Sequence, residues 1–189
     1  MAKALGEEHG VVSLVADPPV TDEMDDVARL TGLPELRRRS IFHALSQRGA
    51  ARAAAARRGV AYEDGRVIVI HMGGGISLGA HRRGRVVDVI NALDGEGPMT
   101  PERSGLLPVL DVLRLLESGK YDIASLRETV LRHAGLLAHL GTNDFRDIEA
   151  RIKGGDEEAR MVAEAMVYAS AKHASSLVPA FAGGGDVLP

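Results

Sequence analysis

The spacing of apolar residues in the first sixty positions predicts one short strand followed by two helices. A strand is predicted over residues 11–19, where branched apolar residues run into two prolines that stop it. Thr21 is positioned to cap a helix over residues 22–32, which has acidic residues in its first turn. A longer helix, rich in alanine and arginine, is predicted over residues 36–58 and ends before a glycine.

The apolar spacing then changes from the period of a helix to the alternation of strands. Three strands are predicted over residues 67–71, 76–82 and 85–91, and Gly84 indicates a tight hairpin between the last two. Beyond them, helices are predicted over residues 108–117, 123–133, 144–153 and 156–181. We therefore expect an α/β fold in which a small mixed sheet with a hairpin precedes a helix-rich second half, as part of a larger α/β protein.

Composition narrows the function mainly by exclusion. The 23 Lys and Arg residues are balanced by 26 Asp and Glu, so the net charge of −3 gives no general attraction for nucleic acid. No cysteine is present, which excludes a disulfide, a thiolate nucleophile and a cysteine-ligated metal. The first residues lack the apolar core of a signal peptide, and no apolar run approaches the roughly 20 residues of a membrane span. We expect a cytoplasmic protein with neither nucleic-acid nor membrane partners.

The predicted helix over residues 36–58 is the most basic part of the chain. Seven arginines and no acidic residue lie between positions 37 and 58. Without aromatic residues between them to stack on bases, a solvated helix face is favoured over a nucleic-acid helix. His43 lies on the apolar side of this helix, beside Ile41 and Phe42, and is expected from its neighbours to be a hydrogen-bonded core histidine.

A glycine-rich turn follows the first strand of the predicted sheet, in the segment VIVIHMGGGISLGAHRRGRVVDV. Two interpretations are open for His71 and for Gly73, Gly74 and Gly75. The glycines could bend a core strand, or their backbone N–H groups could bind phosphate oxygens together with the histidine. The segment is neither a Walker loop nor a dinucleotide fingerprint, because both require a helix to follow.

A rigid polar loop follows the sheet, with the sequence NALDGEGPMTPERSG. Its Arg103 is held between a proline and a glycine and could bind a transferring phosphoryl group or a carboxylate through its planar guanidinium. In the alternative, Arg103 pairs with Glu102 or Asp94 in an ordinary surface loop. Further along, Asn143 and Asp144 are expected to cap a helix. No spacing typical of metal ligands is present, so a metal is expected only as Mg²⁺ bound to nucleotide phosphates.

Taken together and in order, five segments resemble the butyrate kinases of the acetate kinase family, in the actin-like ATPase (ASKHA) superfamily. They are ADPPVTDEM, RRSIFHALSQ, the glycine-rich hairpin with the GEGPMTPERSG loop, HLGTNDFRDIE and EAMVYASAKH, and they span about residues 4–174. The resemblance implies a partial actin-like ATPase (ribonuclease H-like) fold. Residues 1–60 would be a remnant of the N-terminal lobe with the inter-lobe helix, and residues 61–189 an incomplete C-terminal nucleotide-binding lobe.

The resemblance also implies an activity. Such enzymes transfer phosphate between ATP and a short-chain carboxylate, giving ADP and an acyl phosphate, with Mg²⁺ and commonly as homo-oligomers. Butyrate is the implied substrate, and acetate, propionate or a branched acid are the alternatives. A further alternative from another class is an inactive fragment that binds only phosphate or a partner.

Site residues follow from the same resemblance, position by position. His71, Gly73, Gly74 and Gly75 would bind the nucleotide phosphates. Arg103 and His43 would stabilise the phosphoryl group in flight, so the resemblance replaces the core-histidine interpretation of His43. Asp17 would serve the catalytic centre and hold the metal through water. This set agrees with phosphoryl transfer, which depends on positioning and charge stabilisation rather than on a nucleophilic side chain.

The chain also departs from the family pattern. Family members are about twice as long, and their NPGSTS-type first phosphate motif, the TGG adenosine motif and a later metal-binding glutamate are absent from this sequence. At three further positions Ser46, Met72 and Ile90 replace the usual Asn, Leu and Asn. The hypothesis that follows is an internal fragment that carries half of an active site.

Overall fold

A computed structural model describes residues 1–182 of the 189. The three strands are β1 (Arg66–Met72), β2 (Ile76–Arg82) and β3 (Arg85–Ile90). Helices in this part of the chain are α1 (Ala2–His9), α2 (Ala44–Arg57), α3 (Val109–Glu117), α4 (Ile123–Arg132), α5 (Gly135–Leu140), α6 (Phe145–Lys153) and α7 (Glu157–Ser176). Short 3₁₀ turns occupy Asp26–Arg29 and Val178–Phe181. The tail FAGGGDVLP, which stands where the family pattern has a strand leading into its TGG motif, lies outside the described residues from position 183 onward.

The sheet has the order β1-β2-β3, and both pairings are antiparallel. Met72 pairs with Ile76 across the glycine-rich turn, and Arg82 pairs with Arg85 across the Gly84 hairpin. The three predicted strands are therefore confirmed to within one or two residues. These three strands do not show the mixed pairing that was expected, because each is joined to the next by a tight turn, which brings neighbouring strands together antiparallel.

Helices cover both faces of the sheet, as the alternation along β2 requires. Ile76, Leu78 and Ala80 are buried in a core with residues of α5, α6 and α7. Ser77, Gly79 and His81 alternate with them and are directed at the opposite face, where Ser77 accepts a hydrogen bond from Gln47 of α2. β2 is the central strand, so it is buried from both sides.

Helix α2 packs on this face of the sheet, mainly against β1, and reaches β2 through the Gln47 side chain. An added β-carbon on Gly79 would lie 2.3 Å from Oε1 of Gln47, which leaves room for nothing larger than glycine. The residues of α2 that face the sheet are also small, and Ala51 and Ala55 are buried against Tyr62. The space beside Gly79 is therefore filled by Gln47, which hydrogen-bonds to Ser77 of β2.

The predicted strand over residues 11–19 is wrong. No strand forms at these positions, and Val12 and Leu14 are each 88% exposed. A strand needs a partner, and the described residues offer no sheet edge paired with this segment. Among residues 1–182 no strand pairs with this segment, so its apolar side chains remain exposed.

Both helices predicted before residue 60 are shorter than expected. The helix over residues 22–32 is reduced to the Asp26–Arg29 turn, and the helix over residues 36–58 begins only at Ala44. The missing first part is held in extended form by tertiary contacts of Arg38. Its side chain donates to the backbone carbonyls of Ala28 and Val89 at 2.8 and 2.5 Å. Tertiary hydrogen bonds therefore override the local preference for helix.

The helices predicted after the sheet are confirmed, with two exceptions. Helix α5 was not predicted. The last helix ends at Ser176 rather than at residue 181, and a 3₁₀ turn containing Pro179 follows it. Among residues 1–182, no helix is both long enough and apolar enough to cross a membrane.

Candidate active site

Two histidines from different elements stack at the edge of the sheet. His43 immediately precedes α2, and His71 lies near the end of β1. Their ring centroids are 3.7 Å apart and the rings are nearly parallel, at 11°. Nδ1 of His71 is 3.1 Å from Oγ of Ser46. The structure therefore brings together two predicted site residues that are 28 positions apart in the sequence.

His43 is held from behind by buried polar groups. Its Nδ1 lies 2.8 Å from Oγ of Ser77, and Nε2 of Gln47 donates to the same Oγ at 2.9 Å. Burial lowers the pKa of His43, and the neighbouring His71 and Arg103 lower it further. His43 is therefore neutral at pH 7.

The glycine-rich turn is open to an anion rather than strained. None of Gly73, Gly74 and Gly75 has a positive φ, so a sharp left-handed bend does not explain them. Gly73 N–H donates to the Gly75 carbonyl at 3.1 Å, whereas the N–H groups of Gly74 and Gly75 have no acceptor among residues 1–182. Unpaired neighbouring N–H groups of this kind bind anions. This geometry favours phosphate binding by the turn over a bend in a core strand.

Arg103 reaches this turn from the loop that follows the sheet. A β-carbon on Gly75 would lie 2.4 Å from its Nη1, and that Nη1 donates to the Ala92 carbonyl at 2.9 Å. Its Nε is buried and has no partner in the described part of the chain. Arg103 forms no ion pair there with Glu102, and Asp94 pairs with Arg39 instead at 2.7 Å. The surface-loop alternative is therefore not what the structure contains.

Thr100 connects the glycine-rich turn with the loop that carries Arg103. Its Oγ1 donates to the Gly74 carbonyl at 2.8 Å and accepts from the Arg103 N–H at 2.9 Å. The same hydroxyl accepts a longer bond, of 3.3 Å, from the Glu102 N–H. One hydroxyl thus fixes the glycine-rich turn relative to the arginine loop. Sequence reasoning did not identify Thr100, because its role depends on a contact between residues 26 positions apart.

Asp17 stands apart from this cluster. Its carboxylate forms an ion pair with Arg48 at 2.8 Å, and Arg48 also pairs with Glu23 at 2.7 Å. Its φ of 43° places the backbone in the left-handed region, which an aspartate tolerates. Within residues 1–182 no group of three or more His, Asp or Glu side chains could hold a metal ion. These residues do not make a metal site on their own.

A cavity of about 470 Å³ borders the glycine-rich turn. It is lined by Gly73 and Gly74 and by the segment from Asn143 to Arg146. Asp144 caps α6 as predicted, accepting from the Arg146 N–H at 2.9 Å, and the Arg146 side chain lowers the pKa of Asp144 to about 2. The capping prediction is confirmed for Asp144 but not for Asn143, and it did not anticipate that Phe145 and Arg146 line a cavity beside a candidate phosphate site.

A second cavity, of about 540 Å³, opens beside Arg103. Its other walls are largely apolar and come from α3, α4 and the loop between β3 and α3. Among them are Leu107, Val112, Leu116 and Val130. A cavity lined by apolar residues and one arginine can bind a small molecule with a charged head and an apolar tail.

Comparison with solved structures identifies the fold as that of the short-chain carboxylate kinases. The chain superposes on acetate kinase from Porphyromonas gingivalis with a TM-score of 0.77 at 28% identity, covering 85% of this chain and 42% of that one. A propionate kinase from Francisella tularensis gives a TM-score of 0.74 at 23% identity over 84% of this chain and 42% of that one. The expected fold class is confirmed.

Sequence comparison assigns the family. Residues 33–188 match the acetokinase family, so the chain belongs to that family. A probable butyrate kinase from Maridesulfovibrio salexigens is 58% identical over 180 residues, which are 95% of this chain and 50% of that protein. One from Oleidesulfovibrio alaskensis is 54% identical over 188 residues, covering 100% of this chain and 50% of its own length. The chain thus spans about half the length of the curated relatives it matches.

Proposed function

We propose that this chain provides half of the active site of a carboxylate kinase that transfers a phosphoryl group between ATP and butyrate. The observation that carries the proposal is the convergence of the stacked His43 and His71 with Arg103 at one glycine-rich turn. The names of the two relatives described above favour butyrate over acetate, propionate and branched acids.

In this proposal each residue acts on the charge of the phosphoryl group in flight. The free N–H groups of Gly74 and Gly75, with His71, bind nucleotide phosphate oxygens. Arg103 and the neutral His43 donate hydrogen bonds to the equatorial oxygens, where negative charge is concentrated in the transition state. Arg103 is suited to this role because its guanidinium lies directly beside Gly75 of the turn.

The two cavities supply candidate sites for the two substrates. The cavity beside Gly73 and Gly74 would take the nucleotide, with the half-exposed ring of Phe145 offering a stacking surface. The apolar cavity beside Arg103 would take the carboxylate, with its charged end toward the guanidinium and its alkyl chain inside. The first cavity borders the turn itself, and the second is lined by Arg103, whose guanidinium lies beside Gly75.

Magnesium is treated separately, because the residues present do not fit a complete metal site. Asp17 is paired with Arg48, and in the part of the chain that the structure describes it belongs to no group of three carboxylates or histidines that could hold a metal ion. We therefore derive no catalytic step through a metal. A metal role for Asp17, assembly into a homo-oligomer, location in the cytoplasm and the lobe boundary near residue 60 remain predictions.

The proposal is tested by trapping acyl phosphate as the hydroxamate with ATP, Mg²⁺ and butyrate. We expect Arg103→Ala to lower kcat by about 100-fold or more, in the range for loss of one preorganised donor to a transition-state oxygen. Arg132→Ala on exposed α4 serves as the control and is expected to keep the parental rate. Equal rates for Arg103→Ala and the parent would contradict the proposed role of Arg103.

A second candidate function, nucleotide or phosphate binding without turnover, is favoured by the half-length match to the relatives. Calorimetric titration with ADP separates the two. Binding of ADP with no hydroxamate formed by the purified chain would favour this second candidate. Hydroxamate formation by the same preparation would favour the kinase.

A further inference from the structure

We propose that Ser77 and Gln47 are positioning residues that hold His43 as the neutral tautomer with its proton on Nε2. This inference rests on the proposed function, since it assigns a purpose to the proton that His43 would present to a phosphoryl oxygen. Neither Ser77 nor Gln47 was singled out from the sequence. Both side chains are completely buried, at 0% exposure, directly behind the His43 ring.

The orientation of the Gln47 amide is the first step. Its nitrogen lies 3.1 Å from the Ser77 backbone carbonyl and 2.9 Å from Ser77 Oγ. A carbonyl oxygen can only accept, so the group opposite it must be the NH₂ and not the amide oxygen. The two hydrogens of the NH₂ are then used by these two acceptors, and Ser77 Oγ receives one hydrogen bond from Gln47.

The hydrogen bonds of the Ser77 hydroxyl are the second step. A hydroxyl accepts two hydrogen bonds and donates one. Ser77 Oγ accepts from Gln47 at 2.9 Å and from the His43 backbone N–H at 3.3 Å. Its own hydrogen is then left for the remaining neighbour, Nδ1 of His43, at 2.8 Å. Nδ1 must therefore be unprotonated, and a neutral imidazole in this state carries its proton on Nε2.

The same network opposes the charged form of His43. An imidazolium would place a hydrogen on Nδ1, so three donors would point at Ser77 Oγ and the serine hydrogen would lose its acceptor. The groups on the open side act in the same direction, because His71 and Arg103 both lower the pKa of His43 in addition to burial. Nε2 has no hydrogen-bond partner among residues 1–182, so its hydrogen is available to a bound anion.

The consequence for transfer is a donor that needs no rearrangement when the phosphate arrives. With the proton on Nδ1 instead, Nε2 would present a lone pair to an anionic oxygen and repel it. Ser77 and Gln47 would thus act on catalysis without touching the substrate. Their effect should fall on kcat, because the Nε2 donor matters most where charge is concentrated.

The test is nitrogen NMR of the 189-residue chain labelled with ¹⁵N, with the His43 signals assigned by their loss in His43→Gln. At pH 7.5 we expect the unprotonated-type shift at Nδ1 and the protonated-type shift at Nε2. Ser77→Ala should move both shifts toward the average of the two tautomers. A proton on Nδ1 or a charged ring in the parent would overturn the proposal, whether or not any variant folds.

A matched control and a rate measurement complete the experiment. Ser170→Ala removes another buried serine hydroxyl, on α7, and should leave the His43 shifts unchanged. In the hydroxamate assay Ser77→Ala should lower kcat about tenfold and leave KM for ATP unchanged. Parental His43 shifts in Ser77→Ala would contradict the inference. If the shifts move as expected but the parent shows neither turnover nor ADP binding, the proposed kinase function fails and the tautomer assignment stands.

Discussion

Gly75 and Arg103 are in such close contact that a β-carbon on the glycine would lie 2.4 Å from Nη1 of the arginine. Neither residue needs the other for its backbone conformation, since φ of Gly75 is not positive. The glycine is required because the guanidinium occupies the space beside it. The turn and the arginine loop are therefore matched parts of one site.

The first prediction tests this match with Gly75→Ala. The added methyl group must displace the guanidinium, so Arg103 should lose its bond to the Ala92 carbonyl and its position beside the turn. We expect kcat to fall by about 100-fold with little change in the unfolding temperature, measured by the hydroxamate assay and by thermal unfolding. Gly74→Ala is the control and should have a smaller effect, because its β-carbon would meet the flexible end of Glu102 at 3.0 Å. Equal losses from the two variants would refute the match.

The second prediction concerns the hydroxyl that joins the two segments. Thr100→Val keeps the shape of the side chain but removes the donor to the Gly74 carbonyl and the acceptor of the Arg103 N–H. Because two partly buried hydrogen bonds are then lost, we expect the free energy of unfolding to fall by about 1 kcal/mol or slightly more in urea titrations. Thr129→Val, on the outer side of α4, should cost less than about 0.5 kcal/mol. A Thr100→Val variant as stable as the parent would exclude this connection.

The sheet and the helices after it could be predicted because their patterns are local. Strand alternation, Gly84 and the capping residue Asp144 each depend on near neighbours in the sequence. The segment before Ala44 could not be predicted, because Arg38 binds groups 50 and more residues away and holds it extended. Likewise, the residues of the candidate site were recognised through family motifs, whereas Thr100 depends on a contact visible only in three dimensions.

The third prediction follows from the ion pairs of two adjacent arginines. Arg38 is only 21% exposed and pairs with Asp88 at 2.9 Å and Glu96 at 3.3 Å. Burial raises the pKa of Asp88 despite this pairing, which shows how poorly solvated the site is. Arg38→Met would leave both carboxylates without a counter-charge, and we expect a loss of about 2–4 kcal/mol in urea unfolding.

Arg39→Met provides the comparison for that measurement. Arg39 is 66% exposed and pairs with Asp94 at the surface. Removing this pair should lower the free energy of unfolding by about 0.2–1 kcal/mol. Similar losses from both variants would mean that the Arg38 cluster is no more than a surface pair. The predicted solvated face is confirmed for Arg52 and Arg57 of α2 and for Arg58 directly after it, which are exposed, whereas Arg48 is in a partly buried ion pair.

The last prediction concerns acid stability and the buried His81. Its Nδ1 lies 2.8 Å from the Tyr62 hydroxyl, and burial, reinforced by the nearby charge of Arg48, lowers its pKa to about 4. The folded pKa is below the unfolded value of about 6.5, so the unfolded chain binds more protons between these values. His81 therefore contributes stability that is fully present above pH 6.5 and is lost as the pH falls toward 4, about 3 kcal/mol in all.

In urea titrations between pH 5 and 7, His81→Gln should flatten the pH dependence, whereas His133→Gln on the exposed end of α4 should not. An unchanged slope in His81→Gln would show that other groups control the acid response, and direct NMR titration of His81 would then give a pKa near 6.5.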